Sequence, residues 1–205
     1  MSLRARKRAR TRQALLDAAT ELFERQGYDE TTIADIAAAA EIGSRTFFSY
    51  FASKEELLFP ESDARVQATL DAIATRAPGE GPAEVLLRAL RTVGERSDEM
   101  VGPTAALRTR LFQTVPAVRG RALQVQLDAQ REIARRLAEA FPDQLDELGA
   151  GALTGAFVGA INGALQVLLD RTDEAATPAD RHQAIRTATD VALAPWRHDP
   201  KADHK

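Results

Sequence analysis

Ser44, Arg45, Thr46, Ser49, Tyr50 and Lys54 put four hydroxyls, a guanidinium and an ammonium into one short stretch of the chain. Groups of these types hold anions and donate hydrogen bonds to base edges. They do not make a bond-breaking set, because no general base stands beside any of the hydroxyls. The fork of Arg45 can take guanine O6 and N7 together, worth about 1–3 kcal/mol of discrimination between bases. The rest of the sequence narrows the chemistry further. It has no cysteine, which excludes disulfides, zinc–thiolate sites, iron–sulfur clusters and a cysteine nucleophile. Its three histidines, His182, His198 and His204, all lie near the end. No catalytic residue, metal-ligand set or cofactor motif is read from the chain.

Net charge is −3, a poor match to a nucleic-acid binder until it is divided along the chain. Residues 1–54 carry 9 Lys/Arg against 7 Asp/Glu, or +2, and the remainder carries 18 against 23, or −5. Residues 1–12 alone hold Arg4, Arg6, Lys7, Arg8, Arg10 and Arg12 with no acid. Such a run reads either as a solvated tail or as an arm, with Arg6, Arg8 and Arg10, that meets phosphates or a minor groove. No apolar run follows it, so it does not read as a signal peptide, and the expected location is the cytoplasm.

The elements that must position these groups are helices. Alanine occurs 39 times and aromatics are only 5% of the chain, and no segment alternates with strand period. A first helix is predicted from Arg6 to Gln26, with Leu15, Ala18, Ala19, Leu22 and Phe23 as its apolar stripe and Gly27 as its stop. Thr32 caps a second helix, with Asp35 in the place of a capping-box acid. The turn Glu41-Ile42-Gly43 leads to a third helix, Ser44 to Tyr50. Ser53 and Glu56 form a further capping box for a fourth helix reaching Ala77, bent near Pro60. Further helices are predicted over 83–98, 103–114, 118–141, 145–170 and 178–194, with Pro116 and Pro142 as separators.

A short helix following a three-residue turn is a helix-turn-helix pattern. Small side chains at Ala37 and Ala40 let the pair cross closely, and Ile42 and Phe47 anchor the outer helix. Its other side is left for the major groove, with Ser44 and Arg45 at the end that reaches bases and Ser49 as a weaker reader. Thr32, at a helix start, can offer its hydroxyl and backbone N–H groups to phosphate.

The segment TTIADIAAAAEIGSRTFFSYFASKEELL, residues 31–58, resembles the N-terminal domain of the TetR family of transcriptional regulators. The matching positions are Thr31-Thr32, Ile33, Ile36-Ala37, Ala39-Ala40, Thr46, Phe47-Phe48, Tyr50-Phe51 and Ser53-Lys54-Glu55-Glu56-Leu57. The resemblance implies an all-α homodimer with a three-helix DNA-binding head and a helical bundle for ligand binding and dimerisation. It implies that Thr46, Tyr50 and Lys54 contact phosphate in double-stranded operator DNA. Phe48 stands where the family usually has Tyr, so contact and packing are both open for it. Glu41 stands where the family usually has Gly, which costs about 1 kcal/mol if the backbone there is left-handed.

The expected division is a head at 1–54, a ligand-binding and dimerisation body at 55–194 and a flexible tail at 195–205. Residues 148–169 carry no charge over 22 positions, enough to span a bilayer, but five are glycine. Gly151, Gly155, Gly159 and Gly163 form a ridge suited to a second helix, in a dimer partner or in the same subunit, rather than to a membrane. A ligand pocket is expected around Phe59, Met100, Arg108, Phe112 and Phe157. The stretch RTRLFQTVPAVRGR gives it a cationic mouth suited to an acylated or acyl-CoA-like inducer. Repression relieved by a small, partly apolar ligand is the functional expectation. A helical enzyme or carrier, or a DNA-binding protein without a ligand, are the other classes.

Overall fold

In a computed structural model, residues 2–60, 62–96, 103–170 and 177–197 are described. Among them all regular structure is helical, and the chain forms two compact units, Met1–Pro60 with Arg110–Ala122 and Glu61–Thr109 with Leu123–Lys205. The first unit thus runs past residue 54 and takes in part of the stretch assigned from sequence to the body.

The first unit contains α1 (Leu3–Gln26), α2 (Ile33–Ala39) and α3 (Ser44–Phe47), then a 3-10 turn, Glu55–Leu58. The stripe Leu15, Ala18, Ala19, Leu22 and Phe23 is buried as its spacing dictates. It packs in a core that also holds Ile36, Ala37, Phe47, Phe51, Leu57 and Leu58. Gly27 ends α1 at φ +89°, a conformation that strains other residues. At its other end α1 starts three residues earlier than predicted, because the Ser2 hydroxyl accepts the Ala5 N–H at 3.2 Å. The basic run is therefore helical from Leu3 onward rather than an unstructured arm or tail.

The predicted fourth helix is interrupted. Phe59 lies at φ −128°, ψ 48°, off the helical region as a residue before proline must be. The 3-10 turn ends there and α4 starts at Ser62. The predicted Ser53–Glu56 box is also replaced, since the Glu56 carboxylate accepts the Ala52 N–H at 2.7 Å and the turn has no side-chain cap.

The second unit is built from α4 (Ser62–Ala74), α5 (Pro82–Arg96), α8 (Glu147–Asp170) and α9 (Pro178–Leu193), with parts of α6 (Pro103–Thr114) and α7 (Pro116–Ala140). Pro116, predicted as a separator, opens α7, where its missing N–H does no harm. Helix α9 pairs with α8 and α5, and α4 with α5, around Leu86, Leu137, Leu153 and Ile185. The Pro78–Pro82 break is a tied turn: Glu80 accepts from Arg88 at 2.7 and 2.9 Å, and Arg88 also donates to the Ala72 carbonyl at 2.8 Å. The predicted tail begins with a 3-10 turn, Ala194–Trp196, and Trp196 packs on the core. Residues 198–205 lie outside the described residues.

Candidate nucleic-acid interface

The turn between α2 and α3 fixes the geometry of the head. Helix α2 ends in a Schellman motif, with the Glu41 N–H donating to the Ala38 carbonyl at 3.0 Å and the Ile42 N–H to Ala37 at 2.9 Å. The motif needs a left-handed residue, and Glu41 supplies it at φ +56°. That conformation costs a side-chain-bearing residue about 1 kcal/mol.

Helix α3 is α-helical only through Phe47. It continues as i→i+3 turns, with Ser49 N–H to Thr46 O at 3.0 Å and Tyr50 N–H to Phe47 O at 2.8 Å. The predicted Ser44–Tyr50 helix is thus a single turn with a tightened end. Phe47 is fully buried, while Ser44, Arg45, Thr46, Phe48 and Ser49 are exposed and Tyr50 is half-buried. At 100° per residue, Arg45 and Ser49 point opposite Phe47, with Phe48 and Thr46 on the flanks. The Arg45 guanidinium has no partner among the described residues. The Ser49 hydroxyl donates to the Thr46 carbonyl at 2.7 Å, so its proton is already engaged locally.

Two expected phosphate ligands are engaged internally. The Thr32 hydroxyl donates to Asp35 Oδ2 at 2.6 Å and accepts the Asp35 N–H at 3.1 Å, and the Thr32 N–H donates to the same carboxylate at 2.9 Å. The Thr32 bonds hold the Asp35 carboxyl below its ordinary range. This is the predicted capping box, and it occupies the donors that Thr32 was expected to offer. Lys54 donates to the Tyr28 and Thr31 carbonyls at 2.7 and 2.8 Å, and its Nζ lies 3.9 Å from the Tyr28 ring centre. Two of its three protons therefore tie the 3-10 turn to the loop before α2. Burial lowers its pKa.

Sequence reasoning missed the partners in this clamp. The Tyr28 hydroxyl donates to Glu55, and burial first, then that bond, raises its pKa. Burial opposes the Glu55 charge, but hydrogen bonds from Ser53 and Tyr28 outweigh it and lower its pKa. Nothing in local spacing joins positions 28 and 55.

The N-terminal arginines also have structural duties. Arg8 donates to the Ser49 carbonyl at 3.1 Å and lies 5.0 Å from the Tyr50 ring centre. Arg12 donates to the Pro60 carbonyl at 2.7 Å and stacks 5.0 Å over Phe51. Arg6 and Arg10 are exposed on α1.

The expected pocket residues are not gathered into either unit. Phe59 and Phe112 belong to the first, Arg108 and Phe157 to the second, and Met100 lies outside the described residues. Phe157 is buried in the second unit's core. An open cavity of about 450 Å³ in that unit lies between residues 76–80 and 140–144 and includes none of them. The expected cationic mouth is reduced as well. Arg119 donates to the Phe112 and Gln113 carbonyls at 3.1 and 2.6 Å, and Arg121 pairs with Glu56 at 2.8 Å. No group of three or more His, Cys, Asp or Glu that could hold a metal is present among the described residues.

Gly151, Gly155, Gly159 and Gly163 present open space. A Cβ built on any of them meets nothing within 4 Å among the described residues. Glu147–Leu168 is long and apolar enough to cross a membrane by length and composition, and 22% of its most apolar window is buried.

Residues 15–59 match the family model of bacterial regulatory proteins, tetR family. Over 150 residues the chain is 37% identical to TcmR, an HTH-type transcriptional regulator of Streptomyces glaucescens, covering 71% of this chain and 66% of TcmR. That alignment takes in part of the relative, not its whole length. Among solved structures, SmeT, the repressor of the Stenotrophomonas maltophilia multidrug efflux pump SmeDEF, superposes with a TM-score of 0.58 at 17% identity, covering 92% of this chain and 91% of SmeT. FadR of Thermus thermophilus, a TetR-family repressor solved with lauroyl-CoA, gives 0.54 at 22% identity, covering 92% and 97%. These two show a shared fold. With the matched head, the identity to TcmR and the left-handed turn setting α3 on α2, the chain belongs to the tetR family of bacterial regulatory proteins.

Proposed function

We propose that the protein is a ligand-responsive transcriptional regulator, a repressor that leaves its operator when a small, partly apolar ligand binds. The observation that carries this reading is the outer side of α3: Phe47 is fully buried while Arg45, with no partner among the described residues, faces solvent beside Ser44 and Thr46. Phosphate contact falls to Tyr50, Thr46 and the remaining Lys54 proton. Such a regulator works beside the chromosome, in the cytoplasm, and it binds rather than catalyses.

The working form is a homodimer that places two heads about one helical turn apart on the duplex, roughly 34 Å. The face for the second copy is the bare glycine ridge of α8 with the exposed Leu148, Val167 and Val191. Glycine lets two backbones approach closely, and burial of these apolar side chains drives association. Ligand acts as a population shift, favouring whichever state binds it more tightly, by no more than that difference in affinity. Acyl-CoA thioesters are the first ligands to try, because a protein of this fold was solved with one.

The test is footprinting of the DNA upstream of its own gene across a salt series. Protection should weaken steeply with salt. Arg45→Ala should relax preference at one base position per half-site, a loss of about 1–3 kcal/mol there. No protected site at low salt would refute the reading. A monomer in sedimentation would refute the dimer, and partition of α8 into lipid vesicles would assign its apolar face to a bilayer.

A further inference from the structure

We propose that Phe48 reads a thymine methyl group in the major groove, once per half-site. The inference rests on the DNA-binding reading above and adds a base that the head can distinguish without a hydrogen bond. Phe48 is 57% exposed, in a turn whose other exposed members are polar. Its ring is held rather than loose: it meets the buried Phe47 ring edge-on, with centres 5.4 Å apart and planes at 82°. It follows Arg45 by three residues and Ser44 by four, the spacings that bring helical side chains onto one side. The side chain that can fork onto guanine and the exposed ring therefore face the same groove.

The chemistry of the groove selects the target. Phenylalanine has no hydroxyl, so it cannot donate to a phosphate oxygen. Base edges in the major groove present donors and acceptors, and the one apolar group among them is the C5-methyl of thymine. An apolar ring against that methyl removes both from water, whereas against a cytosine amine it would desolvate a donor and return no bond. Phe48 thus both rewards thymine and rejects cytosine at its position.

The experiment uses the full-length protein and a duplex that it selects from a random-sequence pool. Each thymine of that duplex is replaced in turn by deoxyuridine, which deletes only the methyl, and affinity is measured by fluorescence anisotropy. One position per half-site should lose about fourfold, and the doubly substituted duplex about fifteenfold. Phe48→Ala should bind the thymine duplex more weakly and be indifferent to deoxyuridine at that position. Phe48→Leu, which keeps an apolar side chain, should retain part of the sensitivity and shows that any loss is not one of folding. Uniform tolerance of deoxyuridine by the unaltered protein overturns the proposal and leaves the DNA-binding reading intact. The same penalty in Phe48→Ala overturns it equally. A pool that yields no enriched duplex sinks the DNA-binding reading, and the proposal with it.

Discussion

The two units leave different kinds of surface uncovered. In the first, most polar groups near α3 are tied down: Thr32 to Asp35, Lys54 to two carbonyls, Tyr28 to Glu55, Arg8 to the Ser49 carbonyl. What remains exposed along α3 and its tightened end is Ser44, Arg45, Thr46, Phe48 and Ser49. In the second, charges pair along helix faces, as Glu132 does with Arg135 and Arg136, and the uncovered surface is apolar and without side chains along the glycine ridge. A surface of fixed polar geometry suits a ligand with a fixed pattern of donors and acceptors. A bare backbone ridge suits another helix. The contrast teaches that, under the proposed function, rigidity in one unit and missing side chains in the other would serve recognition of different kinds.

The contrast can be tested from its strongest consequence to its weakest. Phe47→Ala should remove about 3–5 kcal/mol from the first unit, because it empties the centre of a small core. Hydrogen exchange should then show lost protection in residues 1–60 with α8 and α9 unchanged. Lys54→Ala should cost about 1–3 kcal/mol by releasing two carbonyls from a charged donor. It should weaken operator binding for all sequences, with protection lost first at the Tyr28–Thr31 loop. Retained protection there would show that Lys54 acts on phosphate alone. Gly155→Ala with Gly159→Ala should do the reverse in the second unit. Each adds about 0.8–1 kcal/mol of helix propensity in open space, so the monomer gains stability while the dimer dissociates more readily in sedimentation.

Smaller effects sharpen the same comparison. Glu41→Gly should stabilise the first unit by about 1 kcal/mol, read from thermal melts, since only the left-handed turn is relieved. Acid should act on both units. Asp35 and Glu132 both titrate below their ordinary values in the fold, so each contributes stability above that value and loses it as pH falls through the folded one. For Glu132, held by hydrogen bonds from Arg135 and Arg136, the window runs from 4.5 down to about 2. Melts of Asp35→Asn and Glu132→Gln against pH should each show a shallower acid decline than the unaltered chain.

What was legible in the sequence was local. The stripe from Leu15 to Phe23 and the Thr32–Asp35 cap each arise from residues within a few positions of one another. Spacing and propensity report such features directly, whereas the left-handed turn at Glu41 is raised only by the glycine that the resembled family carries there. The interruption at Phe59–Pro60 reads in the sequence as a bend, because proline marks a boundary without saying whether the helix resumes at once. The Lys54–Tyr28–Glu55 clamp and the Arg8–Ser49 bond join positions 26 to 41 residues apart. Only the packed core brings those together. For Lys54 the resemblance supplied a role for the charge, and the fold gave two of its protons other partners. The pocket assignment joined Phe59 and Phe112 to Arg108 and Phe157 on residue type alone, and they belong to different compact units.

Helix α1 begins at Leu3, and Arg8 is already fastened to the end of the α3 turn. A basic segment that folds only on contact adds an ordering penalty and an inflated heat-capacity change to association. On the DNA-binding reading, the cationic end of α1 would be in place before a duplex arrives. Calorimetry of complex formation should accordingly show a heat-capacity change no larger than the buried apolar area requires, and encounter should proceed at the rate that charge steering sets.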